Sequence, residues 1–306
     1  MPGIMLDFDK LRALLRRHGA GWDAPVRPVE IGGRKFDFNA RRALMGVINL
    51  STDSGYAESV AESTEAAIAR GLMLAAQGAD FVDIGAESTL PHARYAPPDE
   101  QAGLIVPIVR ALVQKGVLVS VESYHPAVLE AAGEAGAALF NLTGVREERE
   151  IFKLAKRFGA AVIHCYVQGE TVRHVSDFSF VEDMSQAAAT YFEERIATAE
   201  RTGVTVNIID PGLGFYYQNL EDGEIRVHHQ LSTLIQAFRL RPLGVPVMNV
   251  LPHAPDIFGE AHHREAEPIF AVLALMGGSH ILRTHEVEAV ARVRALLETF
   301  RGETER

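Results

Sequence analysis

Cysteine is nearly absent: Cys165 stands alone in 306 residues. No intramolecular disulfide framework can form, and such usage suits a reducing compartment. No apolar run approaches the roughly 20 residues that a membrane-spanning helix needs. Met1 to Gly21 carries charge in an amphipathic pattern where a secretory signal would have an apolar core, so the expected location is the cytoplasm. Positive charge is also short. Thirty Lys and Arg against 40 Asp and Glu leave a formal net charge of −10, with no basic stripe to neutralise phosphates. That argues against a nucleic-acid partner, while a small anionic substrate needs only a local positive site. No linker or low-complexity segment divides the chain.

What is present is an ordinary globular composition, 47% hydrophobic and 23% charged, with mean hydropathy +0.04, enough for one large core. Residues 6–18 place apolar side chains at helical spacing, and Gly19 ends that pattern. Val29-Glu30-Ile31, Gly32-Gly33 and Arg34-Lys35-Phe36-Asp37-Phe38 form a hairpin pattern around a two-glycine turn. Residues 1–40 are read as an appendage covering one end of the main domain.

From residue 43 the chain alternates. Strand-like runs occupy 44–49, 81–85, 117–122, 137–141, 160–164, 205–210, 245–250 and 280–284. Helical patterns fall at 59–77, 99–115, 126–135, 147–158, 181–202, 225–239, 262–277 and 286–300. Strict alternation requires a parallel sheet, and eight units predict an α/β (β/α)8 TIM barrel over 41–306. An open doubly wound sheet would carry a Gly-rich phosphate loop after its first strand, and Asn49-Leu50-Ser51-Thr52-Asp53-Ser54-Gly55 is not one.

A barrel places its active site at the C-terminal ends of its strands. Those ends read Asn49, Asp83 to Glu87, Glu122, Asn141, His164, Asp210, Asn249 to His253 and Arg283-Thr284-His285. Glu122, Asn141 and Asp210 supply acceptors for a ligand with several N–H donors on one edge, such as an amino-oxo-pyrimidine. Arg283 suits stacking on a flat heterocycle or holding a phosphate. Asn49, with the Ser51–Ser54 loop, and His285 suit a diphosphate or its metal ion. His164 and Tyr166 flank Cys165 with side chains able to face the mouth. Cys165 is read as a small buried hydrophobe, and the His228-His229 and His262-His263 pairs as solvated histidines.

Six short motifs in order resemble the dihydropteroate synthase family and its pterin-binding relatives. They are Met45-Gly46-Val47-Ile48-Asn49-Leu50-Ser51-Thr52-Asp53-Ser54, Asp83-Ile84-Gly85-Ala86-Glu87-Ser88-Thr89, Ser120-Val121-Glu122-Ser123-Tyr124, Phe140-Asn141, Asp210-Pro211-Gly212-Leu213-Gly214-Phe215 and Arg283-Thr284-His285-Glu286-Val287. The resemblance implies that Glu122, Asn141 and Asp210 line a pterin pocket with Arg283 on the ring. It places Asn49 and His285 on the diphosphate side, with Asn49 taking Mg2+, and Thr89, His253 and Asn249 are further substrate-binding candidates. It assigns catalysis to Asp210, Arg283 and His285. The implied reaction joins a (dihydropterin-6-yl)methyl diphosphate to a 4-aminobenzoate-type amine.

The departures from the family pattern are specific. Leu90 and His92 stand where the second motif continues with arginine and glycine, leaving Arg94 as the neighbouring cation. No lysine occurs in Met248 to Asp256, where the family has one near Ala254. Glu122 replaces an aspartate, and Leu142 stands where an acid is frequent. These imply an altered substrate. Two other readings stay open: a pterin-dependent methyltransferase using Asn249, and a non-catalytic pterin-binding paralogue. The family's dimers point to Ala289, Val290, Val293, Leu296 and Leu297 as a homodimer patch.

Overall fold

The computed structural model describes residues 7–51, 60–88, 93–174, 177–215, 217, 220, 222–259 and 262–302. It opens with α1 (Phe8–His18), whose first turn is capped by the Asp7 carboxylate accepting Lys10 N–H at 2.9 Å. A hairpin follows, β1 (Val29–Ile31) and β2 (Arg34–Phe36), with Gly32 and Gly33 at φ 55° and 74°. Only glycine takes two successive left-handed positions without strain.

Eight strands then alternate with helices: β3 (Ala43–Asn49), α2 (Thr64–Ala76), β4 (Phe81–Gly85), α3 (Pro98–Gln114), β5 (Val119–Glu122), α4 (Pro126–Glu134), β6 (Leu139–Leu142), α5 (Glu148–Phe158), β7 (Ala161–Cys165), α6 (Met184–Thr202), β8 (Asn207–Asp210), α7 (Gly223–Ile235), β9 (Met248–Val250), α8 (Pro255–Phe258), α9 (Ala266–Met276), β10 (Ile281–Thr284) and α10 (Val287–Glu298). The sheet order is β8-β7-β6-β5-β4-β3-β10-β9, every pairing parallel. A parallel bridge between Ile209 and Val247 joins the two edge strands, so the (β/α)8 barrel closes through one weak seam. The seam is weak because Pro246 has no N–H to donate; its carbonyl accepts Ile209 N–H at 3.0 Å instead. That also shortens the apolar run at 245–250 to a three-residue strand.

Side chains alternate along each strand. Leu44, Ile48, Val82, Ile84, Val119, Val121, Phe140, Val162 and Leu282 pack outward against the helices. Met45, Phe81, Leu139, Ile163, Ile208, Met248 and Ile281 fill the interior together with Ile31 and Phe38 from the hairpin region. The Phe36 and Phe81 rings stand 4.9 Å apart, so the hairpin plugs the N-terminal end of the barrel. Helix α1 does not share this work: it buries no residue, and Phe8 is 83% exposed. On α10, Val290 is core and Leu296 is 63% exposed. No described helix is long and apolar enough to cross a membrane.

Phe38→Ala should therefore cost about 3–5 kcal/mol of stability, whereas Phe8→Ala should change it by under about 0.5 kcal/mol. Urea unfolding of the two variants checks this, and equal effects would contradict the assigned plug.

Candidate active site at the barrel mouth

The inward face of each strand begins apolar and ends polar. Two residues on from Phe81, Leu139, Ile163, Ile208 and Ile281 stand Asp83, Asn141, Cys165, Asp210 and Arg283. Ser120 and Glu122 follow Leu118 at the same spacing. The period-two pleat thus lifts every polar group above the hydrophobic plug to the C-terminal mouth.

There they form one network. Arg283 Nε donates to Asp83 Oδ2 at 2.8 Å, and Nη2 donates to Glu122 Oε2 at 2.6 Å. Asn141 Nδ2 donates to the same Asp83 oxygen at 3.0 Å, and the Cys165 thiol donates to Asn141 Oδ1 at 3.3 Å. Asp210 Oδ1 accepts Gly212 N–H at 2.8 Å. Gly212, at φ 81°, cannot carry a side chain, because a Cβ would stand 2.4 Å from the Tyr166 carbonyl. Asp83 Oδ1 and the Ser120 hydroxyl, in register on neighbouring strands, are buried with no partner among the described residues. A buried carboxylate oxygen of this kind calls for a donor, and the hydroxyl can give or accept a bond.

Three carboxylates share one guanidinium, and their protonation reflects it. Burial pushes Asp210 up from 3.8 to about 6, against the pull of the Gly212 N–H and Arg283. Burial likewise raises Glu122, with Arg283 opposing and Asp83, Asp210 and Glu87 adding to the rise. Arg283 is held charged: burial disfavours its cation, and the charges of Asp83 and Glu122 outweigh that cost. Its bonds lie in the guanidinium plane, so hydrogen bonding does not use the faces, which are the surfaces a flat ring stacks on.

A second cluster lies beside the first, on the ends of β9 and β10. Glu267 Oε1 is 2.8 Å from His253 Nε2 and 2.8 Å from His285 Nδ1. Burial would raise its pKa, but the two imidazoles hold the carboxylate well below its usual range. Strand-end reasoning passes over Glu267, although the sequence does carry a signal for it. In α9 it shares a face with the buried Phe270, Ala271 and Ala274 at i+3, i+4 and i+7, a carboxylate at a core position of an amphipathic helix.

The structure brings Glu122, Asn141, Asp210 and Arg283 together with Asp83, and His253 together with His285. Asn249 is not among them. It pairs in register with the outward Leu282 and donates to Ser279 Oγ at 2.9 Å, away from the mouth. His164 also faces outward, bonded to Asn207 at 2.9 Å and edge-on to Phe152. The inward member of that stretch is Cys165, whose thiol burial and nearby carboxylates keep protonated. Asn49 ends β3 in register with Gly85, and Thr89, Leu90 and His92 lie outside the described residues. His229 is not solvated as expected; its ring packs 4.9 Å from that of Phe178.

Arg94 does not turn toward the mouth in the bonds it makes with Glu100, where its side chain is 66% exposed. The arginine that reaches this side is Arg173. It donates to the Ser88 carbonyl at 2.8 Å and the Ala93 carbonyl at 2.7 Å, with the Glu87 carboxylate 3.8 Å away. It therefore ties both ends of the segment holding Thr89 to the rim. A lone arginine after β7 gives no sequence signal for that role.

The pterin binding enzyme family matches residues 45–285. Dihydropteroate synthase of Synechocystis sp. is 27% identical over 279 residues, spanning 87% of this chain and 92% of that protein. The Escherichia coli enzyme is 26% identical over 263 residues, 83% of this chain and 90% of its own. Among solved structures, dihydropteroate synthase of Thermus thermophilus in complex with 4-aminobenzoate matches with TM-score 0.75 at 26% identity, covering 90% of this chain and 100% of that one. The acid-lined mouth and the family match over the same strands lead to one conclusion: the chain belongs to the pterin-binding enzyme family.

Proposed function

We propose that the protein is a dihydropteroate-synthase-type transferase, joining a (dihydropterin-6-yl)methyl diphosphate to an arylamine of the 4-aminobenzoate kind with an altered partner substrate. The observation that carries this reading is the bonded network of Asp83, Glu122, Asn141 and Arg283 at the mouth, with Asp210 in the field of Arg283 and Asp83 beside it. Its acceptors match the N–H-rich edge of an amino-oxo-pyrimidine, and the Arg283 face suits the flat ring. The amine lone pair forms a C–N bond at the methylene, the C–O bond to diphosphate breaks with its electron pair, and the amine releases a proton. Such a displacement needs positioning and electrostatic support more than covalent help. Asp210 and Arg283 hold the ring, and His285 with His253 faces the leaving group.

Glu122 is one methylene longer than the family's aspartate, and Arg173 sets a cation on the rim beside Ser88 and Glu87. Both support a changed substrate. A magnesium ion would accompany the diphosphate. Asn49 offers it one hard oxygen, fitting an ion that takes most of its shell from phosphate and water. The imidazole-rich cluster around Glu267 does not fit magnesium.

Asp210→Asn should weaken binding of a reduced pterin by about 10- to 100-fold, the effect of losing a charge-assisted contact. Calorimetric titration checks this, beside product analysis with 4-aminobenzoate and the pterin diphosphate. Absence of pterin binding by the wild type would overturn the reading. Because the native pKa of Asp210 is raised from 3.8 to about 6, the empty protein loses stability as pH climbs from about 4 to 6 and stays lower above that. Asp210→Asn should therefore stabilise the ligand-free protein at pH 8, by on the order of 1–3 kcal/mol, read as a higher Tm.

The acceptor form of Asp210 is the ionised one. Wild-type pterin affinity should rise from pH 5 to pH 7 and level off above, with a shallower rise in Asp210→Asn. An affinity that falls over this window would contradict the assigned role.

A further inference from the structure

We propose that His253, Glu267 and His285 form a binding site for a divalent first-row transition-metal ion at the rim of the barrel. Glu267 Oε1, His253 Nε2 and His285 Nδ1 make a triangle with edges of 2.8, 2.8 and 3.2 Å. With Glu267 ionised, no placement of the two ring protons satisfies all three edges. If both ring nitrogens carry hydrogen toward the carboxylate, two N–H groups face each other across the third edge. If only one does, the other nitrogen sets a lone pair against the carboxylate oxygen. A cation over the triangle accepts all three lone pairs at once.

The dimensions favour a particular geometry. Octahedral ions with bonds of about 2.1 Å hold adjacent ligand atoms about 3 Å apart, whereas a tetrahedral shell spaces them at about 3.4 Å. The observed edges fit one face of an octahedron. Two imidazoles and a carboxylate select Mn2+, Fe2+, Co2+ or Ni2+ over the all-oxygen ions Mg2+ and Ca2+.

The rest of the cluster is built to aim the ligands. Glu267 is fully buried. Its other oxygen, Oε2, accepts the Thr284 hydroxyl, His285 N–H at 2.9 Å and Glu286 N–H at 3.2 Å. Those donors fix the carboxylate plane, with the His285 N–H also reaching Oε1 at 3.3 Å, and hold Oε1 as the corner shared with both imidazoles, the outer-shell support that metal carboxylates require. The His263 ring lies 6.0 Å from that of His253, adjacent to the cluster and outside it. Both histidines follow strands whose C-terminal ends open on the mouth, so the remaining coordination positions are available to water or to anionic oxygens of a substrate. That last role rests on the proposed function: the ion would supply positive charge on the side where Leu90 and the stretch around Ala254 carry none. Metal binding itself does not depend on it.

The test is a titration of EDTA-treated full-length protein with Co2+ alone, followed by visible absorption and by metal analysis after desalting. The expected result is one Co2+ per chain with the weak bands of an octahedral ion, displaced by Ni2+ and not by excess Mg2+. Glu267→Gln and His253→Ala should each weaken Co2+ binding about 100-fold or more, and His262→Ala, an exposed residue paired with Glu265, should leave it unchanged. His253 is partly exposed, so its variant keeps the test sound if the buried Glu267 variant fails to fold. Failure of the wild type to retain stoichiometric Co2+, or binding unchanged in His253→Ala, would overturn the proposal. A parallel titration of the metal-free protein with a reduced pterin separates the outcomes. Pterin binding without Co2+ binding sinks the metal site alone, and Co2+ binding without pterin binding sinks the transferase reading alone.

Discussion

Arg283 carries the only guanidinium that the described network sets between the buried carboxylates of the mouth, bonding Asp83 through Nε and Glu122 through Nη2. Placing three acids above a hydrophobic plug is costly, because each charge loses water and meets like charges. One buried cation offsets part of that cost. The remainder shows in the raised pKa values of Asp210 and Glu122 and in Asp83 Oδ1, which has no partner among the described residues. Surplus acceptors prime the mouth for a ligand that brings N–H donors, at a cost in stability.

The scaffold makes this arrangement possible by division along the strands. Phe81, Leu139, Ile208 and Ile281 bury apolar area beside the hairpin's Ile31 and Phe38, and the next inward residues face the mouth. Helices outside bury the alternate residues and hold the strands in register. The network therefore inherits its geometry from a core that takes no part in chemistry. Gly212 is the local exception, where a backbone contact that no side chain would permit keeps its N–H on Asp210.

Much of this was legible because the pleat and the helix have fixed periods. Asp210, Glu122, Asn141 and Arg283 announced themselves as polar residues closing apolar strands. Asn249 read the same way and is placed differently, because Met248 faces the interior and the pleat turns the next side chain toward the helices. Arg173 and Glu267 were hidden for another reason. Each reaches the rim from outside the strands, one from a loop and one from a helix, and distances across the fold are not written in spacing. For Glu267 the helical period does mark a core position, and the acid there is what the pattern cannot accommodate without partners. Those partners, His253 and His285, come from two other loops.

The central claim is that the mouth reads a pterin's amino-pyrimidine edge with acids arranged around Arg283. The most direct measurement is a crystal structure of the protein with 6-hydroxymethyl-7,8-dihydropterin. Ring N–H groups should lie within hydrogen-bond distance of Asp210 and Asn141, Asp83 Oδ1 should gain a donor, and the Arg283 guanidinium should stack on the ring. A pterin bound elsewhere, or bound in the mouth with its pyrimidine edge turned away from these residues, would contradict it.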